Sequence, residues 1–222
     1  MRKSVIILLL SSSLYADNSI TIDQVGGAIS LDINQLGSGN TIKMYDTSSY
    51  LDGDNSYDFY QNDGGVIELW HIDGEDNSIR WGQGGKLDNA ADDTFYYDGT
   101  EGGGSYARFD IHGSGNSIAG WQANSGNGDH SYSQLIFSDD NSIYVEQRGD
   151  GAKSISITTS NDDNSISAIQ RDSGAHVANI TLSGTAPTSL TLLQQGATAM
   201  SYTLSQNCQT VGGCGVAITQ GQ

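Results

Sequence analysis

An asparagine followed six positions later by a glutamine, with apolar residues between them, is the feature that most limits what this chain can fold into. The pattern runs Asn18-Ser19-Ile20-Thr21-Ile22-Asp23-Gln24. It returns as Asn77-Ser78-Ile79 with Gln83, Asn116-Ser117-Ile118 with Gln122, Asn141-Ser142-Ile143 with Gln147, and Asn164-Ser165-Ile166 with Gln170. Strand side chains alternate between faces, so an even spacing of six puts Asn, the aliphatic residues and Gln on one side of one strand. A helix would scatter the same residues around its axis, and helical periodicity is absent after the first 16 residues.

The rungs recur at nearly regular intervals. Starts fall at Asn18, Asn40, Asn77, Asn116, Asn141, Asn164 and Thr188, with a partial coil at Cys214. Thr188 and Cys214 replace Asn, but Leu190 with Gln194 and Val216 with Gln220 keep the phase. Spacings in the low-to-mid twenties belong to solenoid repeats, each too small to bury its own apolar face. Within the first coil, Ile20, Ile22 and Gln24 are followed by a Gly26-Gly27 turn and then by Ile29, Leu31, Ile33 and Gln35. Ile143, Val145 and Gln147, then Ile155 and Ile157, repeat the arrangement as strand–turn–strand. The expected fold is therefore all-β: a β-solenoid of stacked coils with parallel, in-register sheets. Its core includes Ile20, Ile22, Ile29, Leu31, Ile33, Ile143, Val145, Ile155 and Ile157.

Stacking superposes like residues. Asn18, Asn40, Asn77, Asn116, Asn141 and Asn164 are expected to form one ladder, and Gln24, Gln35, Gln83, Gln122, Gln147, Gln170, Gln194 and Gln220 another. Such ladders let inward amides satisfy one another. Coils starting at Asn40 and Asn77 read as enlarged, each with an aromatic insertion: Tyr57-Asp58-Phe59-Tyr60 in one and Phe95-Tyr96-Tyr97-Asp98 in the other. The aromatics between Tyr45 and Trp121 are assigned to filling the wider cross-section, with an exposed binding surface as the alternative. Bulges are expected in Val66 to Ile72 and Gln134 to Phe137, where the alternation blurs.

Residues 1–16 read as a secretory signal, with Arg2 and Lys3, an apolar run from Val5 to Leu10, and small residues up to Ala16. Residues 17–222 form a single repeat domain in this reading. Without Arg2 and Lys3, the nine basic residues fall to seven against 26 acidic ones, a formal charge of −19. That excludes polyanionic partners such as nucleic acid and anionic lipid. No stretch is apolar and long enough for insertion in a membrane. Export favours a disulfide between Cys208 and Cys214, with free thiols as the alternative.

Catalytic chemistry finds no motif, so no enzyme is expected: His71, His112, His130 and His176 read as unrelated to any one repeat position. Acidic junctions at Asp52-Gly53-Asp54, Asp73-Gly74-Glu75-Asp76, Asp139-Asp140 and Asp162-Asp163 are read as solvated turns, with structural calcium as the alternative. Arg148-Gly149-Asp150 is read as a coil turn rather than an adhesion tripeptide.

The run Ile29-Ser30-Leu31-Asp32-Ile33-Asn34-Gln35-Leu36-Gly37-Ser38-Gly39-Asn40-Thr41-Ile42 resembles the curlin repeat of curli-type bacterial amyloid subunits. Ile20 to Gly26 and Ile143 to Gly149 match it too. The resemblance implies a secreted subunit that self-associates into extracellular fibres of a biofilm matrix or adhesive surface on a Gram-negative bacterium. It also implies an outer-membrane secretion channel and a second repeat subunit as partners; no cofactor is expected from the residues, structural calcium being the alternative. The aromatic coils, the cysteine pair and Asp46 in place of Gln depart from the pattern. They suit a minor or capping subunit, or a soluble extracellular solenoid that binds carbohydrate or calcium.

Overall fold

The computed structural model describes residues 6–10, 17–21, 29–44, 54–62, 64–84, 86–87, 95–96, 104–124 and 128–221. No helix occurs among them. The strands in chain order are β1 (Ile6–Leu10), β2 (Ser19–Thr21), β3 (Ile29–Leu36), β4 (Thr41–Met44), β5 (Asn55–Asn62), β6 (Val66–Asp73), β7 (Ser78–Gln83), β8 (Lys86–Leu87), β9 (Phe95–Tyr96) and β10 (Tyr106–His112). They continue as β11 (Ser117–Ala123), β12 (His130–Ile136), β13 (Ser142–Arg148), β14 (Lys153–Thr159), β15 (Ser165–Gln170), β16 (His176–Gly184), β17 (Thr188–Gln194), β18 (Met200–Cys208) and β19 (Cys214–Gln220).

Two parallel sheets face each other. The first runs β1-β3-β5-β7-β11-β13-β15-β17-β19 and the second β2-β4-β6-β10-β12-β14-β16-β18. The chain alternates between them, so each coil gives one strand to each sheet and every strand pairs with the equivalent strand of the next coil. Serines 78, 117, 142, 165 and 189 align in one row, and Ile79, Ile118, Ile143, Ile166 and Leu190 in the adjacent row. The chain is thus a β-solenoid. Neighbouring rungs lie at the ordinary strand spacing of about 4.8 Å.

The core lies between the sheets and is contributed by alternate residues of every rung. Leu31, Ile33, Ile143, Val145, Ile155 and Ile157 are buried in it, and Ile20 is half-buried against it. Ile29 opens β3. Ile22 and Gln24 lie outside the described residues. Along one inward column the side chains read Ile33, Phe59, Trp81, Gly120, Val145, Ala168, Leu192 and Ile218. The missing side chain at Gly120 accommodates the Trp81 indole: a Cβ there would meet Trp81 Cζ3 at 2.6 Å and the Val145 carbonyl oxygen at 2.4 Å. Trp81 stacks on Tyr132 (ring centroids 4.6 Å) and meets Phe109 edge-on (5.2 Å). Tyr57 and Phe59 are also buried in this core, whereas Trp121 is buried in a separate cluster with Ala119, Ala123 and Tyr144.

The repeat frame differs from the sequence expectation in one respect. Asn18 and Asn40 precede β2 and β4 of the second sheet, whereas Asn77, Asn116, Asn141 and Asn164 precede strands of the first. The rung that continues the Asn77 frame toward the N-terminus is Asn55 to Gln61, in register with Ser78 to Gln83 through Ser56 and Gln61. Tyr57-Asp58-Phe59-Tyr60 is therefore an ordinary rung and not an insertion. The expectation failed because both sheets begin strands with the same Asn-x-Ile pattern, and aromatic residues occupy the aliphatic positions of the Asn55 rung. The insertion between β7 and β10 holds the short antiparallel pair β8 and β9.

The apolar run assigned to a leader contributes β1, which lies parallel to β3 with Ile6 opposite Leu31 and Leu10 opposite Gln35. At the other end, Cys208 and Cys214 form a disulfide (Sγ–Sγ 2.06 Å) joining β18 to β19. Among the described residues, no helix is long and apolar enough to cross a membrane.

Candidate functional site

The interior carries a polar line through the apolar core. Gln35, Gln61, Gln83, Gln122, Gln147, Gln170 and Gln194 are all buried at the end of their first-sheet strands. Each side-chain nitrogen donates to the side-chain oxygen of the next glutamine. The distances are 2.8 Å from Gln35 to Gln61, 2.9 Å to Gln83, 2.9 Å to Gln122, 2.8 Å to Gln147, 3.1 Å to Gln170, 2.8 Å to Gln194 and 2.7 Å to Gln220. From Gln83 onward, the same nitrogen also donates across the core to a second-sheet carbonyl: Val66, Tyr106, Ser131, Ser154, Val177 and Ser201 in turn. Both N–H groups are used, so the amides tie the two sheets together as well as successive coils. The ladder has a single direction.

The asparagines form two ladders. Asn55 Oδ1 accepts the backbone N–H of Asn77 (2.8 Å), Asn77 Oδ1 that of Asn116, Asn116 Oδ1 that of Asn141, Asn141 Oδ1 that of Asn164, and Asn164 Oδ1 that of Thr188. On the second sheet, Asn18 Oδ1 accepts from Asn40, and Asn40 Oδ1 from the backbone of Gly65. This corrects the single asparagine ladder drawn from the sequence: Asn18 and Asn40 stack on each other and not on Asn77.

Turns between coils are stacked as well. Asp76, Asp140, Asp163 and Asp172 occupy left-handed backbone positions (φ 55–70°) that Asp tolerates better than most residues. Asp139 and Asp162 carboxylates accept the backbone N–H groups of Ser114 (2.8 Å) and Asp139 (2.9 Å). Arg148 is held by Glu146 (2.7 Å), and a Cβ at Gly149 would come within 2.4 Å of the Asp172 carbonyl oxygen, so the Arg-Gly-Asp sequence here serves a tight coil turn.

His130 and His176 do share one repeat position, against the sequence expectation, with Lys153 between them in register. The spacing of 23 residues on each side was legible; the identity of the middle residue hid it. All three are buried and cap turn carbonyls: His130 Nε2 on Gly149 (3.0 Å), Lys153 Nζ on Gly151 and Asp172 (2.8 Å each), and His176 Nε2 on Arg171 (3.0 Å). Burial first, then the Lys153 charge, pushes His130 from the ordinary 6.5 down to about 4. Burial also lowers His176, and it lowers Lys153 to about 8 against the pull of Asp150 and Asp172. An unfolded histidine takes up its proton near pH 6.5, whereas folded His130 does so only near 4. Acid therefore favours unfolding, and this part of the stability is complete above about pH 6.5 and is lost between 6.5 and 4. Thermal unfolding followed by circular dichroism should show a lower midpoint at pH 4.5 than at pH 7, and His130→Gln should reduce that difference.

The outer face of the second sheet holds a different cluster. Between Leu69–Phe109 and Ile72–Ile111, two residues of β6 (Trp70 and His71) oppose one of β10 (Asp110). This β-bulge turns both residues outward. Trp70 is 36% exposed and stacks under the Arg108 guanidinium (3.9 Å). His71 stacks on His112 (5.6 Å), which stacks on the exposed Phe137 (4.9 Å). His71 and Asp110 are 39 residues apart, the spacing of Asn77 and Asn116, so the pair was legible in the repeat; that His71 faces outward is decided by the bulge.

A stack of parallel rungs with a continuous internal glutamine ladder defines the chain as a β-solenoid protein. No family model, no curated protein and no solved structure matches it.

Proposed function

We propose that the protein is a secreted structural subunit that self-associates end to end into extracellular amyloid-like fibres, as its curlin-like rungs imply. The observation that carries this reading is the directed glutamine ladder. Every rung from Gln35 to Gln194 donates an amide N–H to the next, and Gln220, on the last strand of its sheet among the described residues, donates to the Ser201 carbonyl as its predecessors do to theirs and has no glutamine stacked on it among those residues. Tyr202, Leu204, Val216 and Ile218 on the final strands are only half-buried, and they offer an apolar face to a further rung. An edge with free backbone groups, a matching side-chain ladder and uncovered apolar residues accepts another copy by strand addition. Removal of residues 1–16 would expose β3 as the complementary edge.

The exposed Trp70 and Phe137, with the half-buried Arg108, favour a second reading, a soluble solenoid that binds carbohydrate through its outer face. Purified residues 17–222 distinguish the two. Fibre assembly predicts growing thioflavin fluorescence, filaments in the electron microscope and a meridional reflection near 4.8 Å, about the strand spacing. A protein that stays monomeric and dye-negative overturns the fibre reading.

A further inference from the structure

We propose that His71, Asp110 and His112 form a binding site for a first-row divalent transition metal ion of the zinc class on the outer face of the second sheet. Ligand atoms of the three residues lie within 4.8 Å of one another. Asp110 Oδ1 is 3.5 Å from His71 Nδ1 and 3.1 Å from His112 Nε2. These separations bracket the roughly 3.3 Å between donors that share a tetrahedral ion at about 2.0–2.1 Å.

The surroundings of Asp110 support a cation. His112 Nδ1 lies 2.8 Å from Asp73 Oδ2, and its other ring nitrogen, Nε2, faces Asp110. Asp110 Oδ1 is buried and makes no hydrogen bond, although its carboxylate is held from the other oxygen by Arg108 (3.2 Å). A buried carboxylate oxygen without a hydrogen bond, set close to two imidazole nitrogens, is a donor set that a shared cation satisfies. A ligating histidine whose second nitrogen donates to a carboxylate is the usual supporting arrangement of such sites, and Asp73 supplies that carboxylate. Two imidazoles and one carboxylate suit zinc, copper or nickel better than calcium, which prefers oxygen alone. His71 and His112 are partly exposed, so the ion has access and keeps at least one position for water or an external ligand.

The site is independent of assembly at the coil ends. Titrating metal-free residues 17–222 with zinc chloride in a calorimeter should give one equivalent bound with a Kd on the order of 1 µM or tighter. Cobalt in its place should give visible ligand-field bands. The His71→Ala/His112→Ala variant, whose changes are on the exposed face, should lose the stoichiometric site and the bands. Asp73→Asn should weaken binding by about 10–100-fold. His130→Gln should bind as the native protein does. Absence of stoichiometric binding by the native protein, or native affinity in the double variant, overturns the proposal.

Discussion

Replacing Gln147 by Leu should lower the midpoint of thermal unfolding by on the order of 10 °C, although Leu is the more apolar residue and the site is fully buried. In the native ladder, Gln147 receives the Gln122 amide at 2.8 Å and donates to Gln170 Oε1 at 3.1 Å and to the Ser131 carbonyl at 3.0 Å. Leucine removes all three bonds. It strands the Gln122 amide N–H, the Gln170 oxygen and the Ser131 carbonyl in the interior, where each buried polar group that loses its partner costs about 1–3 kcal/mol. The total, about 3–5 kcal/mol, exceeds any gain from the added apolar surface. For a chain of this size, 1 kcal/mol moves the midpoint by about 2–4 °C. Gln209→Leu, on an exposed turn, is the control and should leave the midpoint unchanged. The same Gln147→Leu variant bears on fibre growth: a ladder that transmits register from coil to coil should slow assembly when interrupted, and unchanged assembly kinetics would count against that role.

The second large effect is expected for Trp81→Ala. Trp81 is fully buried, sandwiched between Tyr132 and the edge of Phe109, with its indole nitrogen 3.4 Å from Gln122 Oε1. Its volume is accommodated because Gly120 in the next coil has no side chain. A rigid stack of rungs cannot collapse sideways into the space left by the indole, so the loss should fall near the usual range for such truncations, about 3–5 kcal/mol. Gly120→Ala attacks the same packing from the opposite side, since the new methyl group would meet both the indole and the Val145 carbonyl. Denaturant unfolding of the two variants, compared with the native chain, measures both effects.

The sequence by itself determined the rung. Even spacing from Asn through aliphatic residues to Gln allows only a strand with one polar-lined inner face, and repetition at coil length allows only parallel stacking, because identical rungs bury one another. Gln83, Gln122, Gln147, Gln170, Gln194 and Gln220 were legible as a ladder for that reason. The tertiary structure decided what periodicity cannot encode. Which sheet a rung joins depends on the turns before it, so Asn18 and Asn40 share a motif with Asn77 but stand on the other wall. Whether an aromatic residue is core or surface depends on its neighbours above and below: Tyr57 and Phe59 lie inside, while Trp70 turns outward at a bulge. That bulge, a two-against-one mismatch between β6 and β10, breaks the repeat. It turns His71 outward beside Asp110 and His112 on the outer face of the second sheet.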